Sequence, residues 1–556
     1  MKELAKLFRI MAARQWLWLS AGILAGILVL AANIALMAVS GWFIASMAVA
    51  GITKVSFNYA MPAAAIRALA IIRTLGRYVE RLVTHEAAFR MLADLRTWLF
   101  ERLIPLAPAG LEGYASGDLS GRLRADVDNM ESLYLRIIAP IVTGCAVILL
   151  APLCLSLWSP AAGSALFVAL FASGILLPLV TRIMAAQPGE QAVRLAGELR
   201  KVVTEGLQGA EELLLLGDST EQAGKVDALY AEIARQQRQL GKISGLVIGG
   251  VTAAAGLALA ALLAIAAAEV SRGALSGPEL VMMLLFSAAS FEGIAPLAAS
   301  LQALPATTAT AGRLTGLATA PHPVPEPAIT LPNVSGHDIV FRGVCFAYNN
   351  GSEVLKDFSL IIPERDRVAL TGPSGIGKSS LVELLLRFRP YRGSITIGGT
   401  ELRDLDSRQI ATLISAAPQR PHLFNSSVRA NILLGAPDAD DRQTSEALED
   451  CGLSTWVESL PDGLDTVVGV AGCAVSGGEA RRIALARALL HDTPIILLDE
   501  PTEGLDPDLE RTVVARLLKR LQGKTVLLIT HRIACLALAN RIKQMQVYPK
   551  RRILVD

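Results

Sequence analysis

The sequence predicts a two-part molecule: a membrane α-helical bundle of six transmembrane helices, fused to an α/β domain built around a phosphate-binding loop. Three observations predict it. Hydrophobic residues make up 52% of the 556 and the mean hydropathy is +0.46, above what a water-soluble enzyme normally carries. Apolar runs long enough to span a bilayer recur in the first half of the chain and then stop. Beyond them, short β-branched strands such as "RVALTG", "PIILLDE" and "TVLLIT" alternate with helical segments, the pattern of a largely parallel sheet. A formal net charge of +2 leaves no global nucleic-acid footprint, so no nucleic-acid partner is expected. Six cysteines, at 145, 154, 345, 451, 473 and 535, lack CxxC pairing and metal-ligand spacing, which argues for inert thiols rather than a disulfide framework.

The chain opens with the basic segment "MKELAKLFRIMAARQ", followed by an apolar run at 16–48. That run exceeds a signal-peptide core and reads as a retained first transmembrane helix. Further spans are expected near 58–80, 137–158, 161–181, 243–269 and 280–301. Six spans bring both ends of the bundle to one side. The Lys and Arg residues of the opening segment, with the basic segments after the second and fourth spans, make that side cytoplasmic. The charged stretches 81–135 and 182–242 read as long helical hairpins reaching into the cytoplasm. Within the second, "EGLQGAEELLLLG" at 205–217 suits either a short helix docking against another domain or an ordinary hairpin contact. The expected domains are therefore 1–320 for the bundle, 321–336 for a proline-rich linker, and 337–556 for the α/β domain.

The chemistry concentrates in the α/β domain. The strand "DRVALT" runs into Gly372, Pro373, Ser374, Gly375, Ile376, Gly377, Lys378, Ser379 and Ser380, followed by the amphipathic "LVELLLRF". Glycines at these positions let backbone N–H groups turn inward around phosphate oxygens, and the helix N-terminus adds positive potential. Lys378 is placed to meet the β- and γ-phosphates of a nucleotide, and Ser379 to coordinate magnesium. A second strand, "PIILLDE", ends in Asp499, placed for the magnesium shell, and Glu500, placed to polarise an attacking water. His531 follows "TVLLIT", where it can orient the γ-phosphate. Upstream of Asp499 stands "VSGGEARRIALARAL", in which Ser476, Gly477, Gly478 and Glu479 open a basic amphipathic helix.

With this last motif the sequence resembles the ATP-binding cassette family, whose signature is commonly written LSGGQ. Six spans followed by one cassette extend the resemblance over the whole chain, to half-transporters of the exporter type. The resemblance implies ATP and Mg2+. It also implies that Gln419, in "SAAPQRPHLFNSSVRANI", joins the magnesium site to the membrane domain as a further magnesium ligand. Tyr348, in "CFAYNNGSEVLKDFSL", matches the aromatic that stacks on adenine, and Asp506, in "EGLD", matches a loop that crosses a dimer interface. A signature helix reaches a γ-phosphate only when it faces another cassette's phosphate loop, so a second half-transporter is implied. The departures are Val475 for leucine and Glu479 for glutamine in the signature, and Val470 where the family often has a glutamate. The final stretch, "NRIKQMQVYPKRRILVD", lacks the usual glycine turn and ends in a basic tail. The hydrolytic positions are intact, so ATP hydrolysis coupled to transport is expected.

Within the family, "RYVERLVTHEAAFRMLADLR" and "PLAPAGLEGYASGDLSGRLRADVDNMESLYLRIIAP" are most similar to one subunit type of heterodimeric exporters of the bacterial inner membrane. This likeness implies an unlike second subunit and a small anionic cargo tied to assembly of bd-type oxidases, either haem or reduced thiols such as cysteine and glutathione. One stripe bears on the cargo. In "RTLGRYVERLVTHEAAF", Arg73, Arg77, Arg81 and His85 lie four apart on one slowly winding helix face. Two readings stand: arginines snorkelling out of the bilayer and paired with Glu80 or Glu86, or a path that attracts carboxylates or haem propionates. In the second, His85, the only histidine of the membrane domain, is the candidate haem ligand. Glu292, in the sixth span, either pairs with a stripe arginine, lines the cavity or caps a kink, and Cys145 and Cys154 read as apolar packers. A non-transporting membrane ATPase, a homodimeric lipid or drug exporter, and a cassette on a mere anchor are the alternatives. Two long cytoplasmic hairpins weigh against the anchor.

Overall fold

The computed structural model describes residues 2–112, 116–216, 219–328, 334–348, 351–469, 472–547 and 552–555, with backbone alone for 116–122, 219, 547 and 552–555. The chain divides into two compact units, Met1–Pro105 with Gly113–Ala320, and Leu106–Glu112 with Pro321–Asp556.

The first unit is helical: α1 (Lys2–Thr53), α2 (Ala60–Leu103), α3 (Ser116–Asn129), α4 (Ala139–Leu155), α5 (Pro160–Phe171), α6 (Leu177–Gln208), α7 (Ala210–Leu216), α8 (Ser219–Ser271) and α9 (Gly277–Ala318). Local signals set the ends. Ser159 caps α5 by accepting from the Ala162 N–H ahead of Pro160, and Ser276 forms a reciprocal capping box with Glu279 ahead of α9. At 1.5 Å per residue, the 52 residues of α1 run about 78 Å, well beyond an apolar core of about 30 Å. Such helices necessarily continue outside the bilayer.

Among the described residues, five stretches are long and apolar enough to cross a membrane: Lys2–Thr53, Leu123–Leu155, Pro160–Gln208, Thr220–Ser271 and Gly277–Ala318. α2, where the sequence places the second of six spans, is not among them, because Arg67, Arg73, Arg77, Glu80 and Arg81 interrupt its apolar half. It is still one unbroken helix packed along α1 and touching α9. Its buried side chains, from Thr84 to Leu103, lie in its second half. Within the segment 205–217, residues 205–208 end α6, Ala210–Leu216 form the separate short helix α7, on which Leu214, Leu215 and Leu216 are exposed, and Gly217 lies outside the described residues.

The strands of the second unit are β1 (Ile339–Ala347), β2 (Glu353–Ile362), β3 (Arg367–Thr371), β4 (Arg392–Ile397), β5 (Thr400–Glu401), β6 (Ile414–Ala417), β7 (Ser426–Ser427), β8 (Val467–Val468), β9 (Ile495–Asp499), β10 (Thr525–Ile529), β11 (Arg541–Val547) and β12 (Arg552–Val555). Its helices are α10 (Lys378–Leu385), α11 (Ser407–Leu413), α12 (Val428–Leu433), α13 (Asp441–Asp450), α14 (Ser454–Glu458), α15 (Gly477–Leu490), α16 (Pro507–Arg520) and α17 (Ile533–Leu536). The central sheet has the order β12-β11-β3-β10-β9-β6 and is parallel except for β12. Every residue of β9 and β10 is buried, as strands covered on both faces require. A second, antiparallel sheet, β2-β1-β4-β5, shares a core with the central sheet, in which Phe341 and Phe358, whose rings meet edge-to-face at 5.8 Å, lie with Leu370, Leu497 and Leu527. Parallel pairing sets Leu370, Ile529 and Asp499 side by side. The turns after β3, β9 and β10 therefore leave one edge of the sheet, the edge where open α/β sheets bind ligands.

Candidate nucleotide site

The turn after β3 depends on glycine. Gly372 has φ 145° and Gly377 has φ 105° at the N-cap of α10, and a side chain at Gly372 would come within 2.7 Å of the Met545 carbonyl. No side chain caps α10, so its first N–H groups are left for a ligand. Ser374 and Gly375 are exposed on the turn, while Ile376 is buried and anchors it. Lys378 folds back over the turn, its Nζ donating to Gly372 O at 2.7 Å and Pro373 O at 2.9 Å. Burial holds the Lys378 ammonium below its ordinary pKa, against the opposing pull of Glu500 and Asp499.

Asp499 sits 5% exposed at the end of β9. Burial pushes its carboxyl pKa up, a hydrogen bond from Ser379 lowers it, and the Glu500 charge raises it again. Its Oδ1 is buried with no hydrogen-bond partner among the described residues. An orphaned carboxylate oxygen beside a serine hydroxyl is a donor set of the hard-oxygen kind that Mg2+ takes, so these residues fit the ion.

Glu500 follows at φ 51°, its N–H donating to Ile529 O at 2.8 Å. A non-glycine residue in this left-handed region costs roughly 1–2 kcal/mol. The Glu500 carboxylate accepts from Gln419 Nε2 at 3.2 Å and lies 3.2 Å from His531 Nδ1. Three separate turns thus converge on one carboxylate. Tyr348 shares a hydrogen bond with Ser380 Oγ at 2.9 Å, and the Arg389 guanidinium lies 4.7 Å over its ring. Arg389 is in turn held by Glu383 at 2.8 Å and by Glu112, through Nη1, at 2.7 Å.

Ser476 caps α15 and is boxed by Glu479: the Ser476 N–H donates to the Glu479 carboxylate at 2.7 Å, and the Glu479 N–H donates to Ser476 Oγ at 3.3 Å. Gly477 and Gly478 form the first turn of that helix. Asp506 caps α16, accepting from the Asp508 and Leu509 N–H groups at 3.1 and 3.0 Å, and those bonds hold its pKa below the usual carboxylate range. A residue the motifs do not single out connects these parts. Arg481 donates to Gln419 O at 3.0 Å and Glu503 O at 3.2 Å, and pairs with the Glu503 carboxylate at 2.9 Å. Its only sequence signal is a basic side chain in an already basic helix. Val470 and residues 548–551 of the basic tail lie outside the described residues.

In the first unit, Arg77, Arg81 and His85 are exposed on α2, and His85 Nδ1 lies 3.7 Å from Glu131. Glu86 pairs with Arg90 at 2.6 Å rather than with an arginine of the stripe. Among the described residues, Arg73 reaches Glu292 through Asn33: Arg73 Nη1 donates to Asn33 Oδ1 at 3.2 Å, and Asn33 Nδ2 donates to Glu292 Oε2 at 2.9 Å. Cys145 and Cys154 are free thiols.

Residues 355–503 match the family model for the ABC transporter, and residues 19–293 match that for the ABC transporter transmembrane region. The glutathione/L-cysteine transport system ATP-binding/permease protein CydC of Escherichia coli (strain K12) is 36% identical across 98% of this chain and 95% of its own length. The chain belongs to the ABC transporter family. It is an exporter-type half-transporter, with a multi-pass membrane region and a cytoplasmic domain that binds and hydrolyses ATP with Mg2+. The half-transporter is also 32% identical to the glutathione/L-cysteine transport system protein CydD of Bacillus subtilis (strain 168), over 87% of this chain and 84% of that one. Its fold is that of a bacterial Atm1-family ABC exporter solved with ATP bound, with a TM-score of 0.81 at 22% identity, covering 96% of this chain and 94% of that chain.

Proposed function

We propose that the half-transporter works with an unlike second half in a bacterial inner membrane and exports the reduced thiols cysteine and glutathione. The observation that carries this reading is the near-full-length likeness, 36% over 98% of the chain, to a protein named for glutathione and L-cysteine transport. Similarity to proteins named both CydC and CydD supports an unlike partner. The end of α7, which presents Leu214, Leu215 and Leu216 to solvent, offers an apolar surface for a partner.

In this proposal the turn 372–380 and Lys378 hold the nucleotide phosphates, and Tyr348 takes the adenine on the ring face opposite Arg389. Ser379, Asp499 and Gln419 hold Mg2+, which when bound supplies positive charge to the phosphate oxygens. Glu500 accepts a proton from the attacking water, and Gln419 and His531 keep its carboxylate aimed. Arg481 positions the Gln419 turn against the Glu503 turn. Ser476, Gly477, Gly478 and Glu479 serve the nucleotide of the second half, with Asp506 reaching across to it.

A second cargo, haem, is supported by one observation: Arg77, Arg81 and His85 share an exposed stripe on α2, two guanidiniums for propionates and an imidazole for iron. Two measurements separate the cargoes. Inside-out vesicles carrying both halves are expected to take up radiolabelled cysteine and glutathione on addition of ATP. Vesicles that hydrolyse ATP yet move neither would overturn the thiol reading. An absorbance titration with haem that is identical for wild type and His85→Ala would remove haem ligation by His85.

A further inference from the structure

Asn33 is an amide only 3% exposed within the first spanning helix. Its two ends are bonded to opposite charges, Arg73 of α2 at 3.2 Å and Glu292 of α9 at 2.9 Å. Two charges placed at bilayer depth are expected to meet directly, because separation leaves each less compensated. Here an amide holds them apart. Glu292 is exposed and Arg73 is half-buried, so both have a side open to a ligand. A guanidinium has five N–H donors and a carboxylate two oxygens, and the amide occupies one donor and one oxygen.

We propose that Arg73, Asn33 and Glu292 form a binding site for the zwitterionic head of an α-amino acid. The ligand carboxylate meets the free edge of the Arg73 guanidinium, where two parallel bonds are available. The ligand ammonium meets the free oxygen of Glu292. A cation and an anion one amide apart match a group whose own charges are separated by a single carbon. A simple anion is a poorer fit, because Glu292 repels it, and a simple amine is repelled by Arg73. The inference rests on the thiol cargo proposed above and sharpens it. Cysteine carries such a head, and glutathione carries the same head on its γ-glutamyl end. One site that reads the head therefore accepts both and leaves the thiol end free.

The test compares cysteine with N-acetylcysteine, which lacks the ammonium, and with cysteamine, which lacks the carboxylate. ATP-driven uptake into vesicles containing the complete two-chain transporter is measured for each. Wild type is expected to favour cysteine over either analogue by about tenfold or more, the scale of an unmatched charged hydrogen bond. Glu292→Gln is expected to lose the discrimination against N-acetylcysteine and keep that against cysteamine, and Arg73→Gln to do the reverse. Glu292→Asp and Arg73→Lys retain both preferences in part. The readout is a ratio within each variant, so a lower yield of folded protein does not imitate the crossed pattern. For a variant without transport, the same ratios are read from binding of the three compounds to the purified complex. Wild type that moves cysteine without discrimination, or variants that keep the wild-type ratios, would overturn the site and leave the thiol reading standing. Wild type that moves neither cysteine nor glutathione would overturn both.

Discussion

α10 and α15 both begin at glycine-bearing motifs, and they begin in opposite ways. α10 starts from Gly377 at φ 105° with no side-chain cap, so its leading N–H groups wait for an outside acceptor. α15 starts from Ser476, closed by reciprocal bonds with Glu479. The first N-terminus is left open along its whole turn, whereas the second is closed in part: its box takes the Ser476 and Glu479 N–H groups, not those of Gly477 and Gly478, and sets a carboxylate beside them. Glutamine closes such a box equally well, as Gln409 and Gln443 do elsewhere in this chain. The glutamate in place of the family's glutamine therefore adds one negative charge to the signature end, which makes it less inviting to an anion.

Substitutions at the two helix ends and the groups beside them test this contrast. The largest effect is expected for Glu500→Gln, beside the ligand-completed end: phosphate release falls by about 10²- to 10⁴-fold while fluorescent-nucleotide binding persists. Undiminished hydrolysis would remove Glu500 from the chemistry. Next, Lys378→Ala is expected to weaken ATP binding about 10- to 100-fold, the worth of charge-assisted bonds to phosphate. Unchanged affinity in equilibrium binding would show that the backbone N–H groups alone hold the nucleotide. Arg481→Ala is expected to lower turnover about tenfold with little change in KM for ATP. Arg481→Lys should restore only part of it, because an ammonium cannot reproduce the guanidinium fork; a KM effect alone would argue against a positioning role. The smallest change is expected for Glu479→Gln. Removing a carboxylate from a helix N-terminus is worth about 0.3–1 kcal/mol when phosphate competes for it, so KM for ATP falls about two- to fivefold, and less at high salt. An unaltered KM at low salt would mean the two helix ends do not differ in their appetite for phosphate.

Much of this architecture was legible in the sequence because its signals are local. The phosphate-loop glycines, the apolar strand ending in Asp499 and the capping pattern at Ser476 each occupy a few consecutive residues, and the structure puts them at strand and helix ends. What was not legible depends on distant pairing. Arg481 matters through Gln419, 62 residues away, and nothing near Arg481 signals that acceptor. Asn33 reads as one polar residue in a long apolar helix until α2 and α9 bring Arg73 and Glu292 to it. The antiparallel sheet was missed because β1 and β2 carry bulges that blur their alternation. The second span, α2, is carried by its length and its packing along α1 rather than by apolarity, since Arg67, Arg73 and Arg77 interrupt its apolar half.

The segment Leu106–Glu112 belongs to the same compact unit as Pro321–Asp556. Its Glu112 holds Arg389, whose side chain is only 6% exposed and which covers the ring of Tyr348. The ATP-binding half of this protein is therefore discontinuous in the gene. A recombinant fragment beginning at Pro321 would be made without a piece of its own surface, with Glu383 as the one remaining carboxylate on Arg389 among the described residues. Grafting this domain onto another transporter would likewise transplant the Tyr348 ring and its Arg389 cover stripped of their brace, unless the seven residues of the distant loop travel with it.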